Sequence, residues 1–293
     1  MRRWLGVLAV LVAAGLLIGA AAFGISYLSR GGAPHTTSIQ ERCLATTDAG
    51  TATLDPEQSA NAALIAAVGQ AQDMSPRAVT IALATAMQES KIRNLNYGDR
   101  DSLGLFQQRP SQDWGTPEQI MDPLYSAGRF YSALAQVPNF EDLPITEAAQ
   151  LVQRSAYPDA YAQHESAARS FASALTGHSP AALNCVFTPA TERESVEKFG
   201  AVFRAEWAAA ADTALTEPAA QPTPAQGGLV VLQAQTPERA WAYAQWSVAK
   251  AKELGVQSVT VAGQIWDRSA GTWNTAPSSA EPTAPTSTQI VLA

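Results

Sequence analysis

Glu89 is the residue best placed to do chemistry. Val79, Ala82, Leu83, Ala86 and Met87 recur at the spacing of one helical face, so an amphipathic helix is expected to carry Glu89 at its C-terminal end. There the carboxylate meets the negative end of the helix macrodipole, and burial beside the apolar stripe further disfavours its charge. Both effects raise its pKa. A carboxylic acid still protonated near neutral pH is what protonating a glycosidic oxygen requires. Ala82, Thr85 and Ala86 are small and leave room beside it. A glutamate at a helix end is usually just solvated, so its neighbours must decide. Asp159 could be a second carboxylate that activates water for inverting hydrolysis, or equally an N-cap before Ala160. Asp99, Asp101 and Asp113 lack the spacing and terminal bidentate glutamate of a calcium loop and read as turn residues. His35, His164 and His178 are too scattered for zinc, so neither a metal nor a cofactor is expected.

The elements that must position these groups are helical from about Asp55 to Leu175. Ser75 and Pro76 read as the N-cap and first position of the helix that ends near Glu89 or Ser90. Thr116, Pro117 and Gln119 form a capping-box pattern, and Asp122 with Pro123 restarts a helix striped by Leu124, Ala127, Tyr131 and Leu134. Further helices are expected near Glu147 to Ser155 and Ala160 to Leu175. Between Ile92 and Trp114 the helical period vanishes and turn residues take over, among them Asn94, Gly98, Asp101 and Gly104. This irregular segment is expected to line a cleft. Trp114, Tyr97 and Phe106 could stack on sugar rings, although such aromatics are more often core.

The run AMQESKIRNLNYGDRDSLGLFQQRPS, Ala86 to Ser111, resembles the lytic transglycosylase and goose-type lysozyme superfamily. The carriers are Glu89-Ser90 at a helix end, then Gly104-Leu105-Phe106-Gln107 with Pro110 trailing, and the helix-like stretch IMDPLYSAGRFYSAL from Ile120. The likeness extends from near Asp55 to Leu175. It implies a lysozyme-like fold that cleaves peptidoglycan glycan strands, with Glu89 as general acid, Ser90 positioning the acid or the sugar, and Gln107 with the backbone around Gly104 supporting the floor of the glycan groove. Ser90 could instead cap its helix, and Gln107 could satisfy backbone groups. Downstream, VQRSAYPDAYAQHE departs from the family's alanine-tyrosine-asparagine motif: Tyr157 stands in for the tyrosine, but Pro158 follows where an asparagine belongs. If Asp159 is not a second carboxylate, the resemblance implies attack by the sugar's own hydroxyl and an anhydro product.

The 293 residues are 46% hydrophobic and 15% charged, a globular composition, and the net charge of -7 without a basic run argues against nucleic acid as a partner. Trp4 to Leu28 carries no charge and follows Arg2 and Arg3, which reads as a transmembrane anchor with a cytoplasmic N-terminus. A cleaved signal peptide is the alternative, and either one exports the rest. Cys43 and Cys185 are the only cysteines, and an oxidising compartment favours their pairing over two separate thiols. After Cys185 come a helix at about Thr191 to Ala211, a proline-rich break, a strand at Leu229 to Leu232, a helix at Pro237 to Leu254 and one or two strands within Val256 to Asp267. Trp241, Trp246, Trp266 and Trp273 suit packing there better than cell-wall binding.

The expected architecture is thus mainly α. It comprises an anchor at 1–30, a spacer at 31–42, a lysozyme-like domain at 43–185, a small α/β module at 189–268 and a disordered, Ser-, Thr- and Pro-rich tail at 269–293. The expected partners are peptidoglycan glycan strands and, through residues 4–28, the cytoplasmic membrane. The rival is a non-catalytic peptidoglycan-binding or scaffolding protein of the envelope, which would keep the groove without needing Glu89.

Overall fold

The computed structural model describes residues 40–154, 158–190, 194–207, 228–277 and 284–293. Its first elements are two short strands, β1 (Arg42–Thr47) and β2 (Gly50–Leu54), followed by helix α1 (Pro56–Ala71). A reciprocal capping box opens α1: Gln58 N donates to Asp55 Oδ1 at 2.9 Å and Asp55 N donates to Gln58 Oε1 at 3.0 Å. Ala62 to Gln70 are all buried, so α1 is enclosed on every side and acts as the hub of the core. Helix α2 (Pro76–Ser90) follows, capped by Ser75 and buried along most of its length. Helices α3 (Pro117–Ile120), α4 (Pro123–Leu134), α5 (Ile145–Gln153) and α6 (Glu165–Leu175) complete this half, with 3-10 turns at Pro110–Gln112 and Pro158–His164. Thr116 and Asp122 cap α3 and α4 as the sequence leads one to expect.

Strand β3 (Leu183–Val186) returns to pair antiparallel with β1, giving a three-stranded sheet in the order β2-β1-β3. Cys43 lies directly opposite Cys185 in that register, and the two form the disulfide. Closing a loop across 142 positions removes roughly 5 kcal/mol of chain entropy from the unfolded state.

Beyond β3 lie helix α7 (Val196–Glu206), strand β4 (Leu229–Gln233), helix α8 (Pro237–Ala249) and strands β5 (Val256–Val261), β6 (Gln264–Asp267), β7 (Thr272–Thr275) and β8 (Ser287–Leu292). The strands form an antiparallel sheet ordered β4-β8-β5-β6-β7, and α8 packs on it. The reverse face of α8 meets the first half. Gln245, fully buried, accepts from Leu183 N at 2.8 Å and donates to Ala174 O at 2.6 Å. Gln40 to Ala293 forms one compact unit on this basis.

The fold is mixed α/β, 45% helical and 20% strand with two antiparallel sheets, not mainly α. β1 and β2 escape notice because RCLATT and GTATL are short and only modestly apolar, and β1's second partner is far along the chain. The tail at 269–293, expected to be disordered, carries strands β7 and β8. β8 lies inside it, between β4 and β5, with Ile290 and Leu292 buried. Polar composition suggested disorder, but pairing on both edges and the bond from Thr288 Oγ1 to Ala240 O, 2.9 Å, satisfy its polar groups. Among the described residues no helix is long and apolar enough to cross a membrane. The expected span at Trp4 to Leu28 lies outside those residues.

Candidate active site

Glu89 sits in the last turn of α2, half-buried, next to the turn that ends the helix. That turn is unusual. Lys91 and Ile92 both hold positive φ, 56° and 55°, the second a β-branched residue for which this region is strained. The Ile92 N–H donates to Ala86 O at 2.9 Å and the Lys91 N–H to Met87 O at 3.1 Å, closing the helix end without a glycine. Side chains from α1 hold the strained carbonyls in place: Gln58 Nε2 donates to Lys91 O at 2.8 Å and Asn61 Nδ2 to Ile92 O at 2.9 Å. Arg93, paired with Asp55 and Glu57, ties the next residue to the start of the same helix. The backbone beside Glu89 is thereby fixed from two directions.

The carboxyl has two neutral partners. Tyr161, fully buried on the Pro158–His164 turn, donates its hydroxyl to Glu89 Oε1 at 2.7 Å. Gln153, the last residue of α5, is the second partner. Burial raises the pKa of Glu89 above the ordinary 4.5, and the hydrogen bonds from Tyr161 and Gln153 offset only part of that rise. Gln153 is itself held, since its Nε2 donates to Phe106 O at 2.7 Å. Nearby, His164 Nε2 lies 3.1 Å from Gln88 Oε1, and burial lowers the His164 pKa.

No protein-family model and no curated protein matches this chain.

Of the residues singled out from the sequence, Ser90 and the Gly104 to Gln107 segment come together beside Glu89. Ser90 is buried, and its hydroxyl lies 2.6 Å from Leu105 O and 3.1 Å from Ala86 O while accepting from Arg93 N. It joins the acid's helix to the irregular loop. Gly104 has φ +77°, and a Cβ there would stand 2.7 Å from Ile120 O, so only glycine fits. Gln107, also at positive φ, donates to Tyr97 O and Gly104 O, each at 3.3 Å. These contacts make it a brace of its own loop. Phe106 belongs to the core, stacked on Phe130 with centroids 4.5 Å apart, whereas Tyr97 is 68% exposed. Asp101 accepts from Arg109 Nε at 2.7 Å and Ser111 N at 2.8 Å, which locks the loop and holds its carboxyl well below the usual range. Asp159 is exposed on the 3-10 turn. Tyr157 lies outside the described residues.

The sequence reading missed Tyr161 and Gln153. Ala160-Tyr161 is a second alanine-tyrosine pair in the same stretch and could have been weighed against Ala156-Tyr157. Gln153 carried no signal of its own, because its role follows from where α5 ends. The four C-terminal tryptophans mostly pack: Trp246 and Trp266 are buried, and Trp241 meets Trp273 edge-on at 5.1 Å.

Proposed function

We propose that this protein cleaves the glycan strands of peptidoglycan by general-acid catalysis, with Glu89 as the acid, in an extracytoplasmic setting. The observation that carries the reading is the half-buried Glu89 carboxyl, raised in pKa by burial and gripped by Tyr161 and Gln153. A protonated carboxyl beside neutral donors can deliver its proton to a glycosidic oxygen as the bond breaks. The resemblance of Glu89-Ser90 and Gly104 to Gln107 to the lytic transglycosylase and goose-type lysozyme superfamily supplies the choice of substrate. The disulfide Cys43–Cys185 agrees with an oxidising compartment, and Trp4 to Leu28 would hold the protein at the outer face of the cytoplasmic membrane.

In this mechanism Glu89 protonates the leaving oxygen and positive charge develops at the anomeric carbon. The cation is then captured either by water, giving a reducing end, or by the sugar's own hydroxyl, giving an anhydro end, and the proton lost by the attacking oxygen returns to the carboxylate left on Glu89. The test is to incubate Gln40–Ala293 with purified peptidoglycan and identify released muropeptides by mass spectrometry. Release by the wild type, abolished in Glu89→Gln at unchanged thermal stability or better, is the expected result. A folded wild type that releases nothing would move the reading to a non-catalytic wall-binding role.

A further inference from the structure

Gln153 faces two ways. Besides its bond to Glu89 it lines a cavity of about 620 Å³ between the loop at Gln112 to Trp114 and helices α4 and α5. One wall is apolar, formed in part by Trp114 and by Leu151, which is half exposed. The rim holds two arginines, Arg129 and Arg154, both exposed. Neither has a carboxylate partner within salt-bridge distance among the described residues, whereas Arg93, Arg100, Arg109 and Arg169 do. Arg129 instead donates to the backbone carbonyl of Asp113 at 3.2 Å. Asp113 is the one acidic side chain among the lining residues, so the cavity is locally cationic on a chain whose net charge is -7.

Guanidinium groups above an apolar wall, with no carboxylate partner among the described residues, suit a ligand with both an apolar face and carboxylates, since the planar fork of arginine matches a carboxylate in bidentate fashion. We propose that this cavity is a subsite for the peptide-bearing sugar, where Arg129 and Arg154 take the free carboxylates of the stem peptide and Trp114 and Leu151 take its apolar face. The inference rests on the glycan-cleaving reading for the identity of the substrate. It adds that the protein distinguishes strands whose peptides carry free carboxylates from strands whose peptides are amidated. Gln153 places this recognition one side chain from the acid.

The probes are soluble glycan oligomers bearing stem peptides with free carboxylates, and the same oligomers after conversion of those carboxylates to methyl amides. Binding is measured by calorimetry on the full chain carrying Glu89→Gln, which prevents turnover, with and without the double substitution Arg129→Gln and Arg154→Gln. The double substitution is expected to weaken binding of the free-carboxylate oligomer roughly tenfold and to leave the amidated one unchanged. Added salt should erase the same difference. Equal loss for both oligomers, or no loss for either, would overturn the subsite. Cleavage by the chain with Glu89 intact is scored separately on both oligomers. If both are cut while the arginines prove irrelevant, the subsite fails and glycan cleavage stands. If neither is cut, glycan cleavage fails, and the calorimetry still decides what the cavity binds.

Discussion

Tyr161 donates its hydroxyl to Glu89 Oε1 at 2.7 Å from a position 72 residues further along the chain. The contact joins the end of α2 to the 3-10 turn ahead of α6 and sets the direction in which the acid points. It also lowers the Glu89 pKa against the larger effect of burial.

Replacing Tyr161 by phenylalanine keeps the buried ring and removes this bond. The Glu89 pKa then rises further, so the high-pH limb of the rate profile is expected to move to higher pH. The turnover number should fall by about tenfold, corresponding to about 1.4 kcal/mol of lost orientation. The measurement is kcat against pH for both proteins. A limb displaced toward lower pH would contradict the role given to the hydroxyl.

Glu89 also makes stability depend on pH. Its folded pKa lies above the unfolded value of 4.5, so its contribution is fully present below 4.5 and is lost as pH rises through the folded pKa. Glutamine at this position cannot ionise and escapes that loss. Thermal melts of Glu89→Gln and wild type at about pH 4 and about pH 8 should therefore show the variant gaining relative stability at the higher pH. Each kcal/mol appears as about 2–4 °C in Tm for a chain of this size. A difference independent of pH would mean that the carboxyl is not perturbed.

In the C-terminal half, Lys250 Nζ lies 2.7 Å from Glu206 Oε1, and Trp246 Nε1 donates to Glu206 Oε2 at 2.6 Å. Both charged side chains are only 4% exposed. Lys250→Met leaves the Glu206 carboxylate without its cation, and urea denaturation should show a loss of about 3–5 kcal/mol at neutral pH. Burial raises the Glu206 pKa and opposes the effect of Lys250, so acid should shrink the loss by protonating the orphaned group. Replacing both residues with apolar ones is expected to restore much of the stability. A single substitution without measurable cost would show that the pair is not dry.

Much of the site could be read from local signals. Ser75, Thr116 and Asp122 cap their helices by bonds within a few residues, so sequence alone places the starts of α2, α3 and α4 and puts Glu89 at a helix end. The turn-forming composition between Ile92 and Trp114 likewise marks the irregular loop, and the expectation that two lone cysteines pair is met by the disulfide Cys43–Cys185. Strands depend on partners that are often remote, and here they are: β1 pairs with β3 across more than a hundred residues, and β8 joins β4 to β5 from within a polar tail. The mixed α/β architecture was therefore decided only by tertiary pairing. The same holds for the partners of the acid. Tyr161 rather than Tyr157 reaches Glu89, and Gln153 meets both Glu89 and the cavity, because helix packing sets where α5 ends and where the 3-10 turn lies. Capping and periodicity act over a few residues, whereas a side chain's depth and its neighbours depend on the whole packed core, which no local pattern encodes.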